Sequence, residues 1–193
     1  MGLFVELILL SVIIGLIRGG KLSRFKDINF KKMWLFILAL VIQYFLVSIN
    51  LIEEFHYFDK IAVYIKQCII ISYVLLFIGI IVNLRYKSLW PVLAGSVLNF
   101  IVLAANSWKL PIIEEGLELI GLDTLLPLYT PIVEGTKLPI LGDIIIVSKP
   151  YPFPRIFSIG DIIICIGLVI LIQEIMLTER GNNNIKFNYL GRY

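Results

Sequence analysis

Five apolar blocks constrain this chain more than any other feature of its sequence. They cover residues 3–17, 33–52, 62–82, 89–105 and 159–177, and a long connection, residues 106–158, separates the last two. A membrane-spanning helix needs about 20 predominantly apolar residues. Because 59% of the residues are hydrophobic and the mean hydropathy is +0.94, one soluble core could not bury them all. We therefore predict an all-α integral membrane protein, a single domain over residues 1–193 with about five transmembrane helices.

The charges between the blocks predict an orientation. Cytoplasmic loops of membrane proteins carry an excess of Lys and Arg. The first loop has six basic residues against one acid, and we expect them to face anionic lipid head groups: Arg18, Lys21, Arg24, Lys26, Lys31 and Lys32. The segment 106–158 has six acids against four basic residues, which places it outside. The prediction is an N-terminus outside and a C-terminus in the cytoplasm, and the net charge of +3 needs no nucleic-acid partner.

The first block is not typical of a cleaved signal peptide. Such peptides carry basic residues before the apolar stretch and a small-residue cleavage site after it. Here nothing basic precedes the block, and Arg18, Lys21 and Arg24 follow it. We expect an uncleaved first helix.

The outer segment 106–158 is long for a connection, and long connections often carry function. Apolar residues at helical spacing alternate with glutamates from Ile112 to Leu122, which predicts a short amphipathic helix on the outer surface. The stretch Leu138–Val147 is too apolar to lie fully in water, and we expect it to dip into the membrane between helices.

Polar residues inside apolar blocks are the best pointers to function, because each costs free energy in lipid. Several fall at helical spacing on shared faces and predict a polar seam that opens toward the outer leaflet. The ligand-binding candidates are Gln43, Asn50, Asn99, Asn106, Asp143 and Asp161. The alternative is that such residues only join helices, at about 0.6 kcal/mol per contact. Ser72, Cys165 and Glu6 lie on or near the same seam.

Two Gly-Asp pairs are the candidates for chemistry, Gly142-Asp143 and Gly160-Asp161. Ser158 can cap the fifth helix with Asp161 reaching back, as in a capping box. Gly142-Asp143 can form a turn. Alternatively, the two carboxylates meet at the outer membrane face, where they bind a cation or a ligand amine, exchange protons, or act as catalytic residues. The sequence leaves these interpretations open.

We expect neither a metal nor a cofactor. Cys68 and Cys165 lie inside apolar blocks, without partners at metal-ligand or redox-motif spacing. His56, in a loop with acidic neighbours, does not by itself predict a metal site. The sequence also lacks a Walker loop, a zincin motif, a Gly-x-Ser-x-Gly elbow and a Cys-x-x-Cys motif, which lowers the expectation of an enzyme.

The order and spacing of several short motifs resemble an uncharacterised bacterial membrane family, domain of unknown function family 5317. The motifs are Asn83-Leu84-Arg85, Leu89-Trp90-Pro91, Gly95, Asn99, Asn106, Pro111, Thr136 through Leu138, Leu141-Gly142-Asp143, Phe157 through Asp161, and Gly167. The resemblance implies a multi-pass protein of the bacterial cytoplasmic membrane but no biochemical role. The chain departs from the family pattern twice: Ser107-Trp108-Lys109 stands where a glycine-rich turn is expected, and Tyr129 lies near an expected histidine.

Three functional hypotheses follow. The first is a non-enzymatic accessory subunit of a larger membrane complex, with membrane-protein partners. The second is a binder or transporter of a lipid, a quinone or another amphiphile at the outer leaflet. The third is a membrane enzyme that uses Asp143 and Asp161, which requires both carboxylates at one site, within about 10 Å if they act as a pair.

Overall fold

The computed structural model of the protein describes residues 2–50, 58–119, 128–148, 150–151 and 155–178. Its helices are α1 (Gly2–Ile17), α2 (Met33–Asn50), α3 (Phe58–Ile81), α4 (Leu89–Ala105), α5 (Glu114–Leu119) and α6 (Ile159–Leu177). Short 3₁₀ turns cover Leu22–Asp27 and Pro139–Leu141. Its strands are β1 (Leu110–Ile112), β2 (Tyr129–Pro131), β3 (Ile145–Val147) and β4 (Arg155–Phe157).

The helices coincide with the predicted apolar blocks, and α4 and α6 have the predicted bounds. Within the described ranges, two of them are long and apolar enough to cross a membrane, by length and composition alone, over Tyr64–Ile81 and Ile159–Leu177. The apolar helices α1, α2 and α4 are shorter. The prediction of a mostly helical protein is therefore confirmed.

The most extensive helix contact joins α4 to α6, which run antiparallel. Glycine permits this approach: a Cβ on Gly95 would lie 2.4 Å from the backbone oxygen of Gly160. Helix α1 packs on the other side of α6, and α2 packs on α3. Rings of Tyr73 and Phe77 on α3 contact Phe100 on α4, at centroid distances of 5.2 and 5.5 Å, and so connect the two groups of helices.

One end of the packed helices, here called the basic end, comprises residues 18–32, residues 82–88 and the last turn of α6. Asn83 organises it. Its Nδ2 donates to the Lys31 and Gly79 oxygens, and its Oδ1 accepts from the Lys31 amide, each at 2.8 Å. The Lys21 amide donates to the Met176 oxygen at 3.1 Å, which attaches the basic loop to α6.

The other end, here called the cap, comprises the described residues between 106 and 158. Strands β1 and β2 pair in parallel, and β3 and β4 pair antiparallel. The sequence analysis did not predict these strands. The amphipathic helix predicted from Ile112 is wrong at its start, because Ile112 lies in β1 and helix α5 begins at Glu114. The stretch Leu138–Val147 forms a 3₁₀ turn and β3, and its entry into a membrane stays a prediction.

The turn after α4 explains the glycine-rich pattern that the resemblance implies there. Ser107 and Trp108 have φ angles of 57° and 66°, a left-handed conformation that glycine adopts without strain. The Trp108 amide donates to the Leu103 oxygen at 2.8 Å, which closes the helix end. Its ring packs on Phe100, with centroids 5.7 Å apart, and Lys66 lies 5.6 Å from the ring centroid. These contacts stabilise the turn without glycine.

Candidate functional site

Asp143 is held in the cap by its own backbone. Its amide donates to the Pro111 oxygen at 2.8 Å, and its oxygen accepts from the Ile113 amide at 3.0 Å. Gly142 makes the approach possible, since a Cβ there would lie 2.5 Å from the Pro111 oxygen. The side chain is 6% exposed, and its Oδ1 has no hydrogen-bond partner in the described part of the chain. A buried carboxyl oxygen without a partner carries a free-energy cost, so it marks a candidate ligand contact.

Asp161, by contrast, has several hydrogen-bond partners. The predicted capping box is confirmed: the Asp161 amide donates to Ser158 Oγ at 3.0 Å, and the Ser158 amide donates to Asp161 Oδ2 at 3.3 Å. From α4, Asn99 Nδ2 donates to Asp161 Oδ1 at 2.8 Å, and Asn99 Oδ1 accepts from Ser158 Oγ at 3.0 Å. Asp161 is therefore held by its own helix end and by α4.

The two carboxyl groups interact electrostatically. Burial, and then the nearby Asp161 charge, raises the pKa of Asp143 well above its ordinary value of 3.8. Burial also raises the pKa of Tyr129, with further contributions from Asp143 and then Asp161. Tyr73 of α3 lies within electrostatic reach of both acids. We call Tyr73, Tyr129, Asp143 and Asp161 the acid–tyrosine site.

The site combines Asp161, which is held by hydrogen bonds, with Asp143, a buried carboxyl group whose raised pKa favours its neutral form. Protonated Asp143 and the two phenols can donate hydrogen bonds, whereas ionised Asp143 accepts them. The described residues contain no group of three or more His, Cys, Asp and Glu side chains that could hold a metal ion. The donors and acceptors of the site suit binding of a polar group or proton exchange.

An open groove of about 630 Å³ lies on the cap, and its lining includes residues near Asp143 in the chain or bonded to its backbone but not Asp143 itself. Its walls include Ile113, Glu114, Glu115, Ile132, Ile140 and Ile144. Ile144 follows Asp143 in the chain, and the Ile113 amide bonds to the Asp143 oxygen. The groove thus has an apolar wall, two carboxylates and direct neighbours of the acid–tyrosine site.

The other predicted site residues are Asn106, Gln43 and Asn50. Asn106 holds the cap, because its Nδ2 donates to the Lys137 oxygen at 2.8 Å and its Oδ1 accepts from the Lys137 amide at 3.0 Å. Gln43 is half-buried on α2, and no hydrogen bond among the described residues joins it to Asn99 or Asp161. Asn50 ends α2, and its side chain is outside the described residues, as is His56. The predicted polar seam stays a prediction: among the described residues a hydrogen bond joins Asn99 to Asp161, and Asp143 interacts with Asp161 electrostatically.

Two of the six basic residues predicted to face lipid contact the protein itself. Arg18 Nη1 donates to Gln173 Oε1 at 3.1 Å, and Arg24 bonds to the Met176 oxygen. Lys21, Lys26 and Lys32 are exposed, as the prediction requires of head-group contacts. Lys31 is also exposed, and its backbone binds Asn83.

Sequence reasoning missed Tyr73, Glu174 and the role of Tyr129. Tyrosine in an apolar block gives no signal of its own, since its ring packs like any aromatic. Glu174, an acid inside the last apolar block, was a usable signal. It accepts from Ser88 Oγ at 2.7 Å and lines a cavity of about 200 Å³ at the basic end with Arg24, Asp27 and Tyr86.

Comparisons with known proteins agree with the resemblance but add no activity. The family model for the Family of unknown function (DUF5317) matches residues 27–173, which include the acid–tyrosine site. An uncharacterised protein of Thermotoga maritima is 24% identical over 168 residues, which cover 87% of this chain and 89% of that protein. No solved structure matches the chain.

Proposed function

Because the chain belongs to DUF5317, a family of unknown function, we propose its role from its own geometry: it is a five-span membrane protein that binds the polar head group of an amphiphile at the outer face. The acid–tyrosine site holds the head group, and the neighbouring groove holds apolar chain. A lipid, a quinone or another amphiphile of this kind is the ligand class.

Exposed apolar surface supports the membrane location. Large hydrophobic side chains stay exposed along the apolar helices, among them Leu9 (57%), Val41 (56%) and Ile71 (51%). Soluble proteins rarely expose apolar patches of this extent. The basic loop and the cap lie at opposite ends of the packed helices, as the positive-inside rule requires if the basic end is cytoplasmic.

The observation that carries the binding proposal is Asp143. The chain buries this carboxyl group within electrostatic reach of Asp161, and among the described residues its Oδ1 has no hydrogen-bond partner. A stable fold would ordinarily pair such a group or replace it. A bound head group supplies the missing partner, and the groove beside it gives the ligand a place for its apolar part.

The first experiment is gentle purification from bacterial membranes in native lipid particles, followed by mass spectrometry of everything that remains bound. The proposal expects one amphiphile species enriched over the bulk lipid in the wild type and lost in Asp143→Asn. Glu134→Gln, which changes an exposed carboxylate of the cap, is the matched control and should keep the ligand.

The same measurement separates the competing hypotheses. Bulk lipid composition in both the wild type and Asp143→Asn contradicts the binding proposal. A stoichiometric protein partner with no enriched amphiphile would instead favour the accessory-subunit hypothesis. The electrostatic interaction of the two acids supports the enzyme hypothesis, but Asp161 is occupied as a helix cap, and turnover of a bound ligand is the result that the hypothesis requires.

Cysteine labelling tests the orientation. In a variant with Cys68 and Cys165 replaced by alanine, single cysteines are placed at Lys21 in the basic loop and at Glu134 in the cap, both exposed positions. With an impermeant thiol reagent on intact cells, we expect labelling at position 134 and protection at position 21. The reverse pattern overturns the orientation.

A further inference from the structure

We propose that the acid–tyrosine site takes a positively charged ammonium head group, which binds between Asp143 and Asp161. The inference rests on the proposed function and narrows its ligand to one chemical class, a cationic amphiphile. It is carried by a geometric observation, the buried Asp143 oxygen without a partner, and by the charges around it.

The charge balance of the site favours a cation. Two acids act on one another here, and among the described residues Asp161 is the charged group that shifts the pKa of Asp143. The basic side chains of neighbouring elements are engaged elsewhere or exposed. Arg155 of β4 contacts Glu6 at 2.7 Å, Lys66 of α3 lies over the Trp108 ring, and Lys137 is exposed. Asp161 is the charged group that acts on the Asp143 carboxyl, so an anionic head group would meet like charge there.

The hydrogen-bonding groups also match an ammonium. A primary ammonium has three donors and no acceptor. Asp143 Oδ1 is a free acceptor, the phenol oxygens of Tyr73 and Tyr129 also accept, and tyrosine faces attract cations at close range. Asp161 already accepts hydrogen bonds from Asn99 Nδ2 and the Ser158 amide. It therefore attracts the ammonium through its charge without leaving these partners.

Binding of the cation is linked to a proton on Asp143. With the site empty, burial and the Asp161 charge favour the neutral Asp143 carboxyl. An incoming ammonium favours the carboxylate, so the Asp143 proton leaves to solvent as the cation binds. Tyr73 from α3, Tyr129 from β2, and Asp161 with Cys165 from α6 are the titratable groups around this exchange, and Asn99 of α4 is uncharged. Affinity for the cation therefore rises with pH.

The groove supports an amphiphilic rather than a small soluble cation. Ile113, Ile132, Ile140 and Ile144 give it an apolar wall, and Glu114 and Glu115 add negative charge. Apolar surface and carboxylates together complement an alkyl chain that carries a positive head group.

The test compares two probes that share an alkyl chain, dodecylammonium and dodecanol, added to the full-length protein in phosphatidylcholine nanodiscs. Thermal unfolding is followed over an acid-to-neutral pH series, since a ligand of the folded state raises Tm. We expect dodecylammonium to raise Tm by roughly 5 °C at saturation, with a larger shift at higher pH, and dodecanol to have little effect.

Two variants locate the effect. Asp143→Asn should abolish the dodecylammonium shift, and Tyr129→Phe, which keeps the ring and removes the hydroxyl, should reduce it. Glu134→Gln is the matched control and should keep the full shift. A shift that Asp143→Asn and Tyr129→Phe both retain in full would overturn the assignment to this site.

The outcomes distinguish the inference from the function on which it rests. If dodecanol stabilises as well as dodecylammonium, or the shift shrinks as pH rises, the head group is a neutral acceptor and the ammonium inference is wrong while amphiphile binding stands. If neither probe stabilises and no amphiphile copurifies, the proposed function itself fails.

Discussion

Asn83 and Asn106 attach two different loops with the same hydrogen bonds, at opposite ends of the packed helices. Each follows a helix, donates to the backbone oxygen four residues earlier, and pairs with both backbone groups of one distant lysine, Lys31 or Lys137. An amide side chain suits this role because it donates and accepts on adjacent atoms.

The two ends differ in whether their partly or fully buried acidic side chains have hydrogen-bond partners. At the basic end Glu174 accepts from Ser88, and Arg24 bonds to the end of α6. At the cap Asp143 is buried with an oxygen that lacks a partner among the described residues. The shared device is therefore structural, whereas the unsatisfied acid distinguishes the cap as the end where a ligand is expected.

Replacing each asparagine by alanine tests whether the two side chains contribute equally to the free energy of unfolding. Asn83 is fully buried, so Asn83→Ala leaves buried backbone groups without partners, and we expect a loss of roughly 3 kcal/mol. Asn106 is half-buried, water can replace its bonds, and Asn106→Ala should cost roughly 1 kcal/mol. Denaturant unfolding in detergent micelles measures both. Equal losses would mean that burial does not separate the two ends.

The next prediction concerns the close packing of α4 against α6. An added methyl on Gly95 meets the Gly160 backbone, which cannot move aside as a side chain can, so Gly95→Ala should cost roughly 2 kcal/mol and displace Asn99 from Asp161. Gly79→Ala is the control, since its nearest neighbour is the Phe36 ring at 3.4 Å, an ordinary contact. A Gly95→Ala protein as stable as Gly79→Ala contradicts the close packing of α4 on α6.

The pH dependence of stability separates the ends further. The raised pKa of Asp143 means that the folded protein holds this proton where the unfolded chain has released it. The neutral Asp143 contributes its full stabilisation below pH 3.8, the ordinary pKa of the carboxyl group. This contribution is lost as the pH rises through the raised pKa of the folded protein. Asp143→Asn, which cannot ionise, should remove this fall from the Tm-against-pH profile of the ligand-free protein. An unchanged profile contradicts burial of an ionisable Asp143.

The smallest effect is expected from the ion pair between Glu6 and Arg155. Its carboxylate is 34% exposed, so Glu6→Gln should cost about 0.5 kcal/mol and less at high salt. The measurement is Tm at low and high ionic strength. A loss above about 2 kcal/mol would show that α1 holds the cap more tightly than a partly exposed pair can.

Local sequence patterns predicted the helices and the N-terminal capping box of α6. Each apolar block is continuous in sequence, so its length and composition predict a helix without knowledge of its neighbours. The capping box of Ser158 and Asp161 was predictable for the same reason, since its groups lie three residues apart. The Gly-Asp pairs drew attention to both acids, but left a structural turn and a binding site as equal alternatives.

The strands were not predictable in this way. Strands β1 to β4 have three residues each, too short for an alternating pattern to show. Their pairing joins residues far apart, such as Leu110 with Tyr129, and depends on the whole cap. The left-handed turn at Ser107 and Trp108 was hidden because residues other than glycine adopt it, stabilised by ring packing.

The sequence by itself determined the helices, the charge difference between the two ends and the list of polar residues, because hydropathy and charge act locally along the chain. Only the tertiary structure decided which of those residues meet. It brought the Asn99 side chain to Asp161 and Asp143 within electrostatic reach of Asp161 and Tyr129. Those contacts depend on how α4 packs against α6 and how the cap folds back on both, which no local pattern records.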